Sequence, residues 1–370
     1  MFVYCYVSTI EKKNVVLLVS SLIFYAWGGP KYLLLLLLMA FISWFSALQI
    51  HRFRESLLLK RLCLILGVGL SLALLGYFKY AGFFLENLQK ITGFPEAIPE
   101  IVLPIGISFY TFQLISYVVD VYWGNVRPQR RYWLILLYCS LFHQCIAGPI
   151  VRYKDVAREI EYRKPRIPEI GRGINRFTIG LVKKAVFANS CAEIADMMLP
   201  EGIMNFTSVP ALGLWLGALM YMLQIYLDFS AYSDMAIGMG LMVGFHYKEN
   251  FNYPYISNTV TEFWRRWHIS LSSFFRDYVY IPLGGNRKGS RRTIINLFIV
   301  WALTGLWHGS SWNFVFWGLY YFVFLVLEKK VLLKKLEKLP GFVGHIYAMA
   351  VVYFGWIIFK FTDLSYLGHM

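Results

Sequence analysis

The chain has 370 residues, of which 58% are hydrophobic and 15% charged, with a mean hydropathy of +0.52. A soluble domain carries about 25% charged residues, so this composition excludes that class and describes an integral membrane protein. The net charge of +15 does not point to nucleic acid, because lysines and arginines cluster in short loops between apolar runs, as in cytoplasmic loops of membrane proteins.

The N-terminus lacks the basic start and small-residue cleavage site of a signal peptide, since Lys12 and Lys13 follow the first aromatic residues. The first apolar run therefore reads as retained. Apolar runs lie near 14–29, 31–50, 62–85 and 101–122. Arg52, Arg54, Lys60 and Arg61 mark the second loop as cytoplasmic, whereas Glu86, Glu96 and Glu100, with Lys90 as the one basic residue, mark the third as external. The fourth run returns inward to Arg127, Arg130 and Arg131. The next, 132–150, is basic at both flanks, the far one holding Arg152, Lys154, Arg158, Arg163, Lys164 and Arg166. Both its ends belong inside, which predicts a re-entrant segment shielded by other helices, with a break at Gly148-Pro149.

Later, about 35 apolar residues join the basic loop at 286–292 to Lys329-Lys330. A hairpin or broken pair of helices fits better than one span. From Glu328 to Leu339, Lys alternates with Val and Leu in a helical rhythm, predicting a basic amphipathic helix on the inner leaflet. Since a spanning helix needs roughly 20 apolar residues, the chain has room for on the order of eight to ten membrane segments. The expected fold class is an all-α polytopic membrane protein, one helical bundle without internal repeats.

Aromatic residues make up 18% of the chain, enough for interfacial belts and for pocket walls. Cys5, Cys63, Cys139, Cys145 and Cys191 contain no CxxC and no paired spacing. They indicate neither a disulfide scaffold nor a zinc site and read as packing residues.

Ionisable groups inside apolar runs are costly and mark chemistry. Two Trp-His pairs, Trp267-His268 and Trp307-His308, meet that description. Read as one helix, 262–277 gathers Glu262, Arg265, Arg266, Ser270, Ser273, Arg276 and Asp277 on one side, with Phe263, Trp264, Trp267, Leu271, Phe274 and Phe275 opposite and His268 at the border. Its arginines suit phosphate groups of lipid or of an anionic cofactor; an interfacial anchor with snorkelling arginines is the plainer alternative. Thr304, His308 and Ser311, at i, i+4 and i+7, form a polar stripe typical of a pore or an active site. A neutral imidazole there is suited to take a proton from a hydroxyl, unless it is merely satisfied by a carbonyl of the bundle.

Tyr221, Gln224, Asp228 and Tyr232 form a second stripe, and Gln113, Ser116 and Asp120 a third. Asp228 would orient an imidazole or bond between helices. His143 and Cys145 admit a base and nucleophile reading that nothing else supports. Acyl or phosphoryl transfer, proton-coupled transport and metal catalysis survive as classes. Metal is weakest, since no HxxxH or HExxH exists, and a transporter would show repeats.

The stretches FWRRWHISLSSFFRDYVYIPLGG from Phe263 and TGLWHGSSWNFVFWG from Thr304 closely resemble the membrane-bound O-acyltransferase superfamily. So do LPIGISFYTFQLISYVVDVYWG from Leu103, AGPIVRY from Ala147 and YLDFSAYSDMAIG from Tyr226. Because IPLGGNRKG follows the first His motif, the alginate and peptidoglycan O-acetyltransferase branch is most similar, with teichoic-acid D-alanyl transfer more distant. The resemblance implies re-entrant segments around a central funnel or tunnel, with His308 acting where a cytoplasmic donor meets an outer acceptor. It implies His268 as a second residue that positions a group or stabilises an oxyanion, and Asp228, Trp307, Asn313, Arg266 and Thr304 as binding or supporting residues. It also implies no tightly bound cofactor, an acyl thioester co-substrate (acetyl-CoA or an acyl carrier), and a periplasmic or extracellular partner protein or polysaccharide as acceptor. The setting implied is multi-pass in a bacterial inner membrane. One domain covering 1–370 is expected, shortened at both ends relative to the family pattern. Relatives more often carry Pro where this chain has His143.

Overall fold

The computed structural model describes residues 4, 6–94 and 97–369; Cys5, Glu96 and Met370 lie outside the described residues. Among the described residues no strand occurs. The polypeptide is helical nearly throughout and divides into two compact units, 1–175 with 236–248, and 176–235 with 249–370.

Among the described residues, four helices are long and apolar enough to cross a membrane: Pro30–Arg52, Leu57–Thr92, Ala211–Val243 and Gly341–Lys360. This is fewer than the eight to ten segments anticipated. The helix Ile10–Trp27 spends its first turn on Glu11, Lys12 and Lys13, Gly289–His308 opens on Arg291-Arg292, and Ile107–Trp123 and Trp312–Leu327 stop at 17 and 16 residues. Leu57–Thr92 leaves most of its apolar side chains exposed, among them Leu58, Ile65, Leu66 and Leu70. An apolar surface of that extent suits lipid rather than water.

In the first unit we label Ile10–Trp27 α1, Pro30–Arg52 α2, Leu57–Thr92 α3, Ile107–Trp123 α4, Tyr132–Ser140 α5 and Tyr153–Tyr162 α6. Helix α2 packs on α3, α4 and α5, so its Leu36, Met39, Ala40 and Ala47 are wholly buried. The stripe Gln113, Ser116 and Asp120 lies on α4 and is fully buried. The carboxylate of Asp120 is paired with Lys154 at 3.1 Å and accepts from Asn125 at 2.9 Å.

Within the segment 132–150 the helix breaks earlier than the anticipated Gly148-Pro149. Helix α5 ends at Ser140, a length of about 14 Å at 1.5 Å per residue. The chain then folds back onto it: Tyr138 donates its hydroxyl to the Val151 carbonyl at 2.7 Å, and Gln144 Nε2 donates to the Tyr138 carbonyl at 2.8 Å. His143 Nε2 is hydrogen-bonded to the Tyr247 hydroxyl at 2.6 Å. The imidazole is thus committed to Tyr247, and no nucleophile–base pair with Cys145 forms.

Helix α7, Ile167–Val182, and α10, Ala211–Val243, are each divided between the units. In the second unit α7 continues through a π-helical turn, Lys183–Ala188, into α8, Asn189–Met198; α9 is Ile203–Ser208. There follow α11, Val260–Arg266, α12, Ile269–Phe275, α13, Gly289–His308, and α14, Trp312–Leu327. The hairpin anticipated between the two basic loops is α13 packed on α14, and Trp301, Trp317, Tyr321 and Trp356 fill the core beside it. Glu328 to Leu339 is not a separate amphipathic helix. It prolongs α14 as a π-helical turn, Glu328–Leu332, and a single further turn, α15, Leu333–Leu336, before α16, Gly341–Lys360. Its first residue is the reason: Glu328 is fully buried, where its carboxylate accepts from backbone N–H groups of α11.

Candidate active site

Helix α11 is capped twice. The Thr259 hydroxyl accepts from Glu262 N at 3.0 Å, and the Glu328 carboxylate accepts from Val260 N at 2.6 Å, Thr261 N at 2.8 Å and the Thr261 hydroxyl at 2.5 Å. A carboxylate on the free N–H groups of a helix N-terminus satisfies donors that otherwise have no partner and complements the helix dipole.

The single helix expected over 262–277 does not form. It stops at Arg266, Trp267 is extended, and His268 takes a left-handed conformation, φ 42° and ψ 55°. Two backbone hydrogen bonds from an upstream segment replace the helical ones. Asn252 N donates to the Arg266 carbonyl at 2.9 Å and Ile269 N donates to the Asn250 carbonyl at 2.9 Å. The proposed two-faced wheel therefore dissolves. Arg266 folds onto its own helix, donating to Glu262 at 2.9 Å and to the Asn252 carbonyl at 3.2 Å. It does not line the cavity, whereas Arg265 and Arg276 do.

His308 ends α13, Gly309 is extended, and Ser311 is the residue preceding α14. Thr304 and His308 thus share one helical face as expected, but Ser311 leaves the stripe and donates its hydroxyl to Asn313. Thr304 donates its hydroxyl to the Val300 carbonyl at 2.7 Å. Asn313 is buried and donates to the Phe359 carbonyl at 3.0 Å, tying the start of α14 to the end of α16. The half-buried His308 ring is met nearly edge-on by Trp317 at 4.8 Å and Phe359 at 5.2 Å, a geometry in which aromatic quadrupoles attract and hold the ring.

His268 and His308 line one cavity of about 220 Å³, together with Thr304, Ser272, Arg265 and Arg276. The remaining wall is aromatic and aliphatic, as in most small-molecule sites. Trp307 contacts both imidazoles, its ring 5.7 Å from His268 and 4.9 Å from His308. Such a cavity offers two imidazoles for proton transfer and hydrogen bonding, with two guanidinium groups for an anionic ligand. Asp228 serves neither imidazole: it is ion-paired with Lys184 at 2.8 Å and accepts from Gln224 at 3.3 Å. Among the described residues, no three His, Cys, Asp or Glu side chains gather as a metal site.

Sequence reasoning missed two residues that shape this site. Asn250 holds His268 and Glu328 holds α11. Neither lies in a periodic stripe with its partner, so no local signal marked them.

Residues 131–367 match the family model described as MBOAT, membrane-bound O-acyltransferase family. The chain is 40% identical over 369 residues to a probable alginate O-acetylase of Pseudomonas aeruginosa, covering 99% of this chain and 70% of that protein. It is 35% identical over 379 residues to a peptidoglycan O-acetyltransferase of Helicobacter pylori, covering 94% and 71%. A teichoic acid D-alanyltransferase of Bacillus subtilis is 29% identical over 231 residues, covering 60% and 58%.

Proposed function

The chain belongs to the membrane-bound O-acyltransferase family, and from that membership we propose that it moves an acetyl or other small acyl group from a cytoplasmic thioester donor to a hydroxyl of an extracytoplasmic polysaccharide. An alginate-like exopolysaccharide is the first acceptor to consider and peptidoglycan the second, by likeness to relatives named for those polymers. The immediate acceptor is either the polymer or a partner protein that carries the acetyl group onward. The proposed setting is the inner membrane of a bacterium, where a cytoplasmic donor and an outer acceptor lie on opposite faces.

The observation that carries the reading is the meeting of His268 and His308 on one cavity that also bears Arg265 and Arg276. In the proposed step His308 removes the proton of the attacking hydroxyl. The hydroxyl oxygen bonds to the thioester carbonyl carbon, the tetrahedral intermediate expels the thiolate, and the thiolate takes the proton back from the imidazolium. An ester and a free thiol result. Arg265 and Arg276 are suited to the phosphate groups of the donor, whether acetyl-CoA or an acyl carrier. Thr304 and Trp307 shape the surroundings of His308, and Asn313 secures the helix that follows it.

Transfer of D-alanine to teichoic acid is the second reading, favoured only by the shorter and weaker likeness to proteins of that name. Membership in an acyltransferase family speaks for transfer over proton-coupled transport. Membranes from cells expressing the chain, supplied with labelled acetyl-CoA, test the proposal. Label is expected in polysaccharide as a base-labile ester, dependent on the chain; chain-dependent transfer of D-alanine instead would overturn it.

A further inference from the structure

The Asn250 side chain lies beside the His268 ring, and its orientation follows from chemistry alone. Its Oδ1 lies 3.2 Å from the backbone N of Ser270. A backbone N–H can only donate, so the atom facing it is the carbonyl oxygen of the amide and not its NH₂. The same oxygen accepts from the Ser270 hydroxyl at 2.8 Å and lies 3.1 Å from His268 Nδ1. An amide oxygen has no proton to give, and the Ser270 hydroxyl, 3.4 Å from the same nitrogen, directs its own proton to that oxygen at the shorter 2.8 Å, so the hydrogen of the 3.1 Å contact sits on Nδ1. In a neutral imidazole the other nitrogen then carries a lone pair. That nitrogen, Nε2, is buried and has no hydrogen-bond partner among the described residues, on a side chain that lines the cavity.

Asn250 is itself held on every side. Its Nδ2 donates to the Ser233 hydroxyl at 3.1 Å, and its carbonyl accepts from Ile269 N at 2.9 Å. The preceding Glu249 is gripped by Arg176, whose Nη1 donates to it at 2.6 Å. Arg176 and Lys183 both also engage Asp234, at 2.9 and 2.6 Å. The left-handed backbone at His268, rarely populated outside glycine, is secured by the same asparagine through Ile269 N and Ser270 N. A strained residue over-determined by its surroundings is the pattern of a functional position.

We propose that Asn250 is a positioning residue that fixes His268 in the Nδ1-protonated tautomer, so that Nε2 is left as an acceptor on a side chain that lines the cavity. In that state His268 receives an N–H or O–H of the bound substrate other than the proton taken by His308, and it does not donate to an oxyanion. The role of the cavity's occupant as substrate rests on the acyl-transfer reading; the tautomer does not.

The test is nitrogen NMR of the full chain in detergent, labelled with ring-¹⁵N histidine, the His268 signals being identified by their loss in His268→Gln. The expected spectrum has a protonated Nδ1 and a bare Nε2. Asn250→Asp keeps an acceptor oxygen and should keep that tautomer, whereas Asn250→Leu should lose it, with transfer falling roughly a hundred-fold. In Asn250→Leu the Michaelis constant should rise for one substrate only, and varying donor and acceptor in turn shows which of them supplies the N–H or O–H. A protonated Nε2 in the unmodified chain overturns the inference, even if Asn250→Leu does not fold. An unchanged tautomer in a folded Asn250→Leu also overturns it. If the tautomer is as expected but no acyl transfer occurs, the functional reading fails and the positioning role of Asn250 stands.

Discussion

Gly305 faces Gly318 across the α13–α14 hairpin so closely that a Cβ on either would be driven into a backbone carbonyl oxygen of the opposite helix, that of Phe314 or of Trp301. Helices that pack without a hydrophobic driving force between them depend on such small-residue contacts. His308 lies one turn beyond Gly305, so the hairpin's spacing sets the position of the imidazole.

Gly305→Ala and Gly318→Ala should therefore each cost about 1–3 kcal/mol through overpacking and lower transfer out of proportion to expression. Neither neighbour can yield, because both are backbone. Thermal unfolding in detergent, read beside activity in membranes, checks this; unchanged melting with full activity would show that the contact is looser than described.

Among the described residues, Glu328 is the one side chain that accepts from the first two N–H groups of α11. Glu328→Ala would leave buried donors without partners, at about 1–3 kcal/mol for each group. Glu328→Gln retains one acceptor oxygen and should lose less. Since α11 leads directly into His268, loss of activity is expected to track loss of melting temperature across the two variants. Equal melting of Glu328→Ala and the unmodified chain would count against this anchoring.

Arg265 is set in the cavity wall beside His268. Arg265→Ala is expected to raise the Michaelis constant for the acyl donor about tenfold, the scale of one lost charge-assisted hydrogen bond, with the acceptor's constant unmoved. Arg265→Lys should recover part of the loss, being charged but without the planar fork. Titration of donor and acceptor separately distinguishes this from a general weakening.

The membrane class was legible in composition, its helices in apolar runs near spanning length, and the α13–α14 hairpin in the basic residues at both ends of an apolar stretch too long for one span. Those signals are local and survive any tertiary arrangement. The break at His268 was not legible. The pattern over 262–277 is genuinely helical in period, but Asn250 and Asn252, well upstream, supply backbone partners that outcompete it. Ser311 was misplaced for a related reason, since the helix ends at His308 with Gly309 extended. For Asp228 two readings stood, orienting an imidazole or bonding between helices, and the second holds, with Lys184 meeting it from another segment that periodicity cannot see. The two histidines themselves were visible because ionisable groups in apolar surroundings stand out; what holds them in place is long-range and was not.

The central claim is that His308 serves as the base in O-acyl transfer. The most direct test compares base-labile acetate in purified exopolysaccharide and cell-wall fractions from a deletion strain complemented with the unmodified chain or with His308→Ala. The account predicts that acetate falls in one fraction on deletion, that the unmodified chain restores it, and that His308→Ala does not while accumulating in the membrane to the same level. Restoration of acetate by His308→Ala would contradict it.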